Sequence, residues 1–381
     1  MASTLLARTQ ELGEFVGTVA EVRDSIGMLS VTVGIEPGAG KGRTPPWQIA
    51  VENDLAQLRK DGSLRAVPQK SLDVLATHVA EMFDLAATGR GRALYVALES
   101  GAWREITLNE PLPTGARMGR VAHVLPLFRP LERGRPAALL VASKDAIVLF
   151  ESELGTATEV DRIELEPWVG DWWPEMKGPS RANPLRGQHT VSQRDRYARR
   201  LAAAYRDTLG DASAKLGKLA QGRSWTRAVL AGDSRTVDPL DRALRENGVT
   251  TTTIGANLEG LRTDDALGQL EKALETMVTL EHTRLAENIM SASDGVCGLV
   301  PVLAALNEAR VARLLIDPNR TFAGHVEAEI LAVGNPDETT QDLTDPIVAR
   351  ALDTGAVVTP LDGGAARTLS TCEGIAALLR W

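Results

Sequence analysis

In Ala137-Ala138-Leu139-Leu140-Val141-Ala142, Ser143-Lys144-Asp145, Ala146-Ile147-Val148-Leu149-Phe150, two apolar runs flank three polar residues. Each run is too short for a helix and has no 3.6-residue period, so the pattern predicts a buried pair of strands joined as a hairpin. Ile163–Leu165 is a further candidate strand. Residues 166–192 then break all periodicity with Pro167, Pro174, Pro179, Pro184, Gly170, Gly178 and Gly187, and they carry Trp168, Trp172 and Trp173. A stretch of that length without structure of its own is uncommon inside a compact domain and is often functional. A helix is expected over 192–209, capped by Ser192, with Tyr197, Leu201, Ala204, Tyr205 and Leu209 as its apolar stripe. A strand at Arg227–Ala231 closed by Gly232, a helix over 237–246 and a strand near 249–254 complete this segment.

On the N-terminal side, a helix at 8–24, a strand at Ile26–Ile35, helices at 47–61 and 69–86, and strands at Arg92–Leu98 and Trp103–Leu108 are expected. The last two flank Glu99-Ser100-Gly101-Ala102, a hairpin signal. On the C-terminal side a long helix spans about 264–292, Gly295–Ala309 reads as a second helix, and Val311–Asp317 reads as a strand. Val326–Val333, a helix over 345–353 opened by Asp345-Pro346, Val357–Pro360 and Gly374–Arg380 continue an alternation of strand and helix. The expectation is an α/β protein of three mixed domains, 1–132, 133–260 and 261–381, with the irregular stretch at about 166–193 inside the middle one.

Composition narrows the function. The chain has 381 residues, 44% of them hydrophobic, enough for packed cores rather than a disordered polymer. No apolar run of 18 or more residues is present and the N-terminus has no basic lead, so neither a membrane span nor a signal peptide is expected. Cys297 and Cys372 alone argue against a disulfide framework and for a reducing cytoplasm, and Cys297 reads as a core residue of an apolar helix. The five histidines, at 78, 123, 189, 282 and 325, do not pair with Cys or His at zinc spacing, so no dedicated metal site and no cofactor are expected. Gly38-Ala39-Gly40-Lys41-Gly42 resembles a phosphate loop only superficially: Ile35 stands where the pattern needs Gly, and Gly42 where it needs Ser or Thr.

Lys and Arg number 42 against 50 Asp and Glu, a net charge of −8. Within that acidic chain lies a basic island. Lys177, Arg181, Arg186, Arg194, Arg196, Arg199, Arg200 and Arg206 face a single acid, Asp195. A Gly/Pro loop leading into an arginine-rich helix can reach into a distant site while the helix lies against phosphates, where Arg makes fork-shaped contacts. A solvated helix face behind an unstructured loop is the plainer alternative.

The order strand–strand, Gly/Gln loop, arginine-rich helix, strand ending in Ala231-Gly232 resembles the middle domain of archaeal and eukaryotic class I release factors and Pelota. It resembles more closely their bacterial relatives, the bacterial archaeo-eukaryotic release factor group, which includes actinobacterial ribosome-hibernation proteins. The matching pieces are Arg135–Ala142 with Ala146–Phe150 as the opening hairpin, Ser192–Arg200 as the helix after the loop, and Ser30–Pro37 as a first strand. Ala309–Ile316, Asp353–Val358 and Gly374–Arg380 resemble a kink-turn-protein-like α/β sandwich. The resemblance implies action at the ribosomal A site and peptidyl transferase centre. The partners would be rRNA and tRNA, with a translation GTPase as a further candidate, and neither membrane nor DNA.

In such factors a Gly-Gly-Gln loop orients water against the peptidyl-tRNA ester. Here the nearest match is Arg186-Gly187-Gln188, with Arg in place of the first Gly, and Gln193 is the alternative glutamine. The implied roles are Gln188 or Gln193 for the water, Gly187 for backbone freedom, and Lys177, Arg181, Arg186, Arg194, Arg196, Arg199 and Arg200 for RNA. The broken motif leaves two readings open: a peptidyl-tRNA hydrolase, or a factor that occupies the centre passively, as in hibernation. Outside translation, a scaffold that reuses the fold would suit the acidic bulk charge. A small-molecule enzyme walled by residues 167–173 would need an acid–base pair that is not apparent.

Overall fold

The computed structural model describes residues 8–36, 44–84, 89–143, 146–165, 193–255, 263–334 and 340–381. They form two compact units. The first comprises residues 1–135, 153–156 and 275–381, and the second 136–152 and 157–274.

The first unit opens with α1 (Thr9–Ala20), β1 (Met28–Gly34), α2 (Pro46–Lys60), α3 (Gln69–Met82), β2 (Gly91–Ala97), β3 (Trp103–Leu108), β4 (Gly115–Gly119) and α4 (Leu125–Arg133). The strands make an antiparallel sheet in the order β3-β2-β1-β4. Successive side chains of a strand point to opposite faces, and the sheet uses that period to fill two cores. Leu29, Val31 and Val33 of β1 and Leu94 and Val96 of β2 pack against Trp47, Val51 and Leu55 of α2 and Leu75, Val79 and Met82 of α3. Met28, Ala93, Tyr95 and Ala97 face the other way, towards Leu12, Val16 and Val19 of α1 and Leu125, Leu127 and Phe128 of α4.

The second unit contains β5 (Ala137–Ala142), β6 (Ala146–Glu153), β7 (Thr156–Glu164), α5 (Gln193–Gly222), β8 (Arg227–Gly232), α6 (Ser234–Glu246), β9 (Thr250–Ile254) and the start of α7 (Thr263–Ser291). Its sheet runs β7-β6-β5-β8-β9. β5 and β6 are the expected hairpin, paired Leu139↔Phe150 and Leu140↔Leu149 and closed by a 2.9 Å bond from Ser143 N to the Ala146 carbonyl. β8 joins β5 in parallel, Leu139↔Val229, and β9 joins β8 in parallel, Val229↔Thr252.

The chain returns to the first unit from Glu275. There follow β10 (Gly295–Cys297), α8 (Leu299–Asn307), β11 (Val311–Ile316), β12 (Ala323–Glu327), β13 (Ile330–Val333), β14 (Gln341–Asp342), α9 (Thr344–Asp353), β15 (Val357–Pro360), α10 (Gly363–Thr368), a 3₁₀ turn (Leu369–Cys372) and β16 (Ile375–Leu379). A mixed sheet, β10-β16-β11-β15, has Leu314, Ile316, Val358 and Ile375 on the face covered by α8 and α9. Leu315 and Ala376 lie on the other, against Ala286 and Ile289 of α7 and Ala365 of α10. This is an α/β sandwich. It shares one apolar cluster with α1, α4 and the first sheet.

Three readings need correction. Gly295–Ala309 is not one helix: β10 forms first, Gly298 turns the chain at φ 94°, and α8 starts at Leu299. Val326–Val333 is not one strand, because Ala328 and Glu329 take φ of 46° and 68° and turn β12 into β13. Cys297 is an exposed strand residue joined to the buried Cys372 by a disulfide, with 4.9 Å between the Cα atoms. A separation of 75 residues concealed that pairing until β10 and β16 became neighbours.

Candidate nucleic-acid interface

The sequence places its basic island on α5, and α5 is longer than its apolar signal suggested. Thirty residues at about 1.5 Å each give a rod of about 45 Å. The buried stripe is Leu209, Ala212, Leu216 and Ala220, spaced by three and four residues. It rests on Ala138 and Leu140 of β5, Leu149 of β6 and Leu230 of β8. Tyr205 fixes the helix laterally through a 2.8 Å hydrogen bond between its hydroxyl and that of Thr236. Near the other end Gly217 has no Cβ, and Asn247 approaches to within 2.7 Å of where one would stand. Asn247 then accepts a 2.7 Å bond from the amide of Gln221. The helix continues to Gly222 because these contacts outweigh the low helix propensity of Gly210 and Gly217.

The sheet under α5 ends at Gly232, where φ is 148° and any Cβ would lie 2.2 Å from the Ala142 carbonyl oxygen of the parallel neighbour. Only Gly fits this strand end. The next residue, Asp233, caps α6 by accepting a 2.9 Å bond from Arg235 N. The Ala231-Gly232-Asp233 sequence therefore turns a buried strand directly into a helix.

The basic side chains fall into two groups. Arg199 and Arg200 are exposed near the N-terminal end of α5, ahead of the buried stripe, and Leu201 beside them is 37% exposed. Arg206 is also exposed, its Nε donating to the Ala202 carbonyl at 3.2 Å. At the C-terminal end Lys215, Lys218, Leu219, Gly222 and Arg223 line an open depression of about 540 Å³. Lys215 pairs with Asp161 of β7 at 2.6 Å, and Arg223 with Glu151 of β6 at 2.8 Å. Glu151 also accepts a 2.7 Å bond from Trp225 Nε1. The second group was missed in the sequence. Lys215 and Lys218 are visible there at helical spacing, but the acids that hold Lys215 and Arg223 come from distant strands.

Lys177, Arg181, Arg186, Gly187 and Gln188 lie outside the described residues, as do Gly38–Gly42 and the tryptophans at 168, 172 and 173. Gln193, Arg194 and Arg196 belong to the first turns of α5, and only their helical backbone is described. The structure thus brings Arg199 and Arg200 together on an exposed helix end that follows residues 166–192 directly in the chain. Exposed guanidinium groups on a rigid helix can make bidentate contacts to phosphate. Among the described residues no helix is long and apolar enough to cross a membrane.

Over 207 residues the chain is 24% identical to the uncharacterized protein YocB of Bacillus subtilis (strain 168), covering 52% of this chain and 75% of that protein. Among solved structures it is similar to the archaeal translation termination factor aRF1, with 16% identity, full coverage of both chains and a TM-score of 0.25. It is also similar to ribosome-bound archaeal Pelota, with 11% identity, coverage of 99% and 95%, and a TM-score of 0.39. Residues 136–271 match the model of bacterial archaeo-eukaryotic release factor family 5. That span runs from the first strand of the second unit to the start of α7, and over it the chain resembles the bacterial archaeo-eukaryotic release factor group.

Proposed function

We propose that this protein is a ribosome-associated translation factor of the cytoplasm that acts at the A site and reaches towards the peptidyl transferase centre. The observation that carries the reading is the release-factor family match over 136–271, which includes the exposed arginine end of α5 and the Gly/Gln segment before it. In this reading Arg194, Arg196, Arg199 and Arg200 hold rRNA or tRNA phosphates, together with Lys177, Arg181 and Arg186. The segments 1–132, 133–260 and 261–381 serve as three functional parts, and a translation GTPase is the natural delivery partner.

Two modes of action share this placement. Gln188, freed by Gly187, would orient water against the peptidyl ester, or Gln193 would do so. Alternatively the segment fills the centre without chemistry, which Arg186 in place of a glycine favours, because a left-handed backbone there is costly for Arg. Ribosomes carrying labelled peptidyl-tRNA, mixed with wild type or Gln188→Ala and assayed for both binding and released peptide, test the proposal. Release by the wild type that Gln188→Ala loses while still binding makes the protein a hydrolase. Binding without release by either form makes it an occupancy factor. Absence of binding by the wild type overturns the proposal.

A further inference from the structure

The sequence has no His/Cys pair at zinc spacing, but the fold of the first unit brings three other donors together. His78 and Glu81 stand one turn apart on α3, on the same helix face. Glu105 lies on β3, the edge strand of the first sheet. Along β3, Ile106 and Leu108 face the α1/α4 core, so Trp103 and Glu105 share the opposite face, the one that α3 covers. The indole of Trp103 lies over the His78 imidazole with 3.7 Å between ring centres. This contact sets the direction in which the ring nitrogens point.

His78 Nδ1 is shielded from solvent, and its close approach to a carboxylate is too poorly aligned for a hydrogen bond. It faces Glu81 Oε2 at 2.9 Å and Glu105 Oε2 at 3.8 Å. All three donor atoms lie within 4.8 Å of one another. Adjacent ligands about 2.1 Å from one metal ion stand about 3.0–3.4 Å apart, so sub-ångström side-chain shifts would bring this set onto an ion. The carboxylates are open to solvent, 61% and 48% exposed, which gives an ion a route in and leaves room for water as further ligands.

We propose that His78, Glu81 and Glu105 bind a divalent transition-metal ion. One imidazole and two carboxylates are the donor chemistry of zinc or manganese, whereas magnesium and calcium favour all-oxygen sets. Two neighbouring carboxylates repel one another and the shielded ring nitrogen lacks a well-aligned hydrogen bond, and a cation among them would satisfy all three. The site is independent of the ribosomal reading, since none of its residues belongs to 136–271.

The test is isothermal titration of tag-free, chelator-treated full chain with Zn²⁺ and Mn²⁺, using wild type, His78→Ala and the double variant Glu81→Gln, Glu105→Gln. The glutamines preserve shape at exposed positions, so the double variant remains informative if His78→Ala does not fold. Co²⁺ quenching of tryptophan fluorescence, compared with Trp103→Phe, places the ion beside Trp103. The expected result is one equivalent bound by the wild type, weakened at least about tenfold in both variants, with quenching lost in Trp103→Phe. No binding by the wild type, or equal binding by the double variant, overturns the proposal and leaves His78 as an ion-pair partner of the two glutamates.

Discussion

Asp24 shows how much one short side chain can organise. Its carboxylate accepts bonds from the backbone N–H groups of Ile26 and Gly27, both at 3.1 Å, of Glu99 at 3.0 Å and of Ser100 at 3.4 Å. It therefore pins the entry to β1 against the turn between β2 and β3. Partial burial alone would raise the Asp24 carboxyl, but the backbone donors overcome that and hold it below the usual carboxylate range. A lowered pKa in the fold means that the stabilisation is present above the ordinary value and is lost as pH falls through the lowered one. Asp24→Asn should cost about 1 kcal/mol at neutral pH, a figure kept small for a solvent-screened group. Urea titrations at pH 7 and at about pH 3 check this, and the gap between wild type and variant should narrow at the lower pH. Glu99-Ser100-Gly101-Ala102 was legible as a turn. Its dependence on Asp24 was not, because nothing local in sequence links residues 75 positions apart. The same holds for His78 and Glu105, whereas Gly232 was readable as a strand end because its constraint is local.

Elements were most legible where period and burial agree. β5 and β8 are buried almost throughout and read as apolar runs, and β6 does so over residues 146–150. α5 was legible at its start and not at its end. The sequence suggested Tyr197, Leu201, Ala204, Tyr205 and Leu209 as the packed stripe; Leu209 is buried and Tyr205 packs on the same cluster, but Leu201 is exposed and the buried stripe runs on to Ala220. Leu216→Ala should therefore lower stability by about 2–5 kcal/mol, since Leu216 is 1% exposed, while Leu201→Ala should change it by about 0.5 kcal/mol or less. Paired chemical denaturation curves of the two variants decide this, and equal losses would mean that the N-terminal end of α5 is packed after all. β4, Gly-Ala-Arg-Met-Gly, and α4, with Pro126 and Pro130, escaped notice because neither has a propensity of its own. Tertiary pairing with β1 and burial against α1 form them.

At the scale of the molecule, the α/β class and the release-factor resemblance were both readable from short runs of residues. The sharing of one apolar cluster by the N-terminal and C-terminal segments was not, because its contacts join Leu12 and Val16 to a core containing Leu306 and Ile347, far apart in the chain. His123 Nδ1 and Asp345 Oδ1 meet at 2.5 Å although 222 residues separate them. The acidic bulk charge of −8 makes the basic end of α5 a local device, and any hold on RNA must be electrostatic and therefore sensitive to salt. The most direct measurement is co-sedimentation with intact bacterial ribosomes across a salt series, with Arg199→Glu, Arg200→Glu alongside. The expected result is pelleting at low salt that falls steeply as salt rises and that the double variant loses. Pelleting that is absent at low salt, or that is indifferent to both salt and the substitutions, would contradict it.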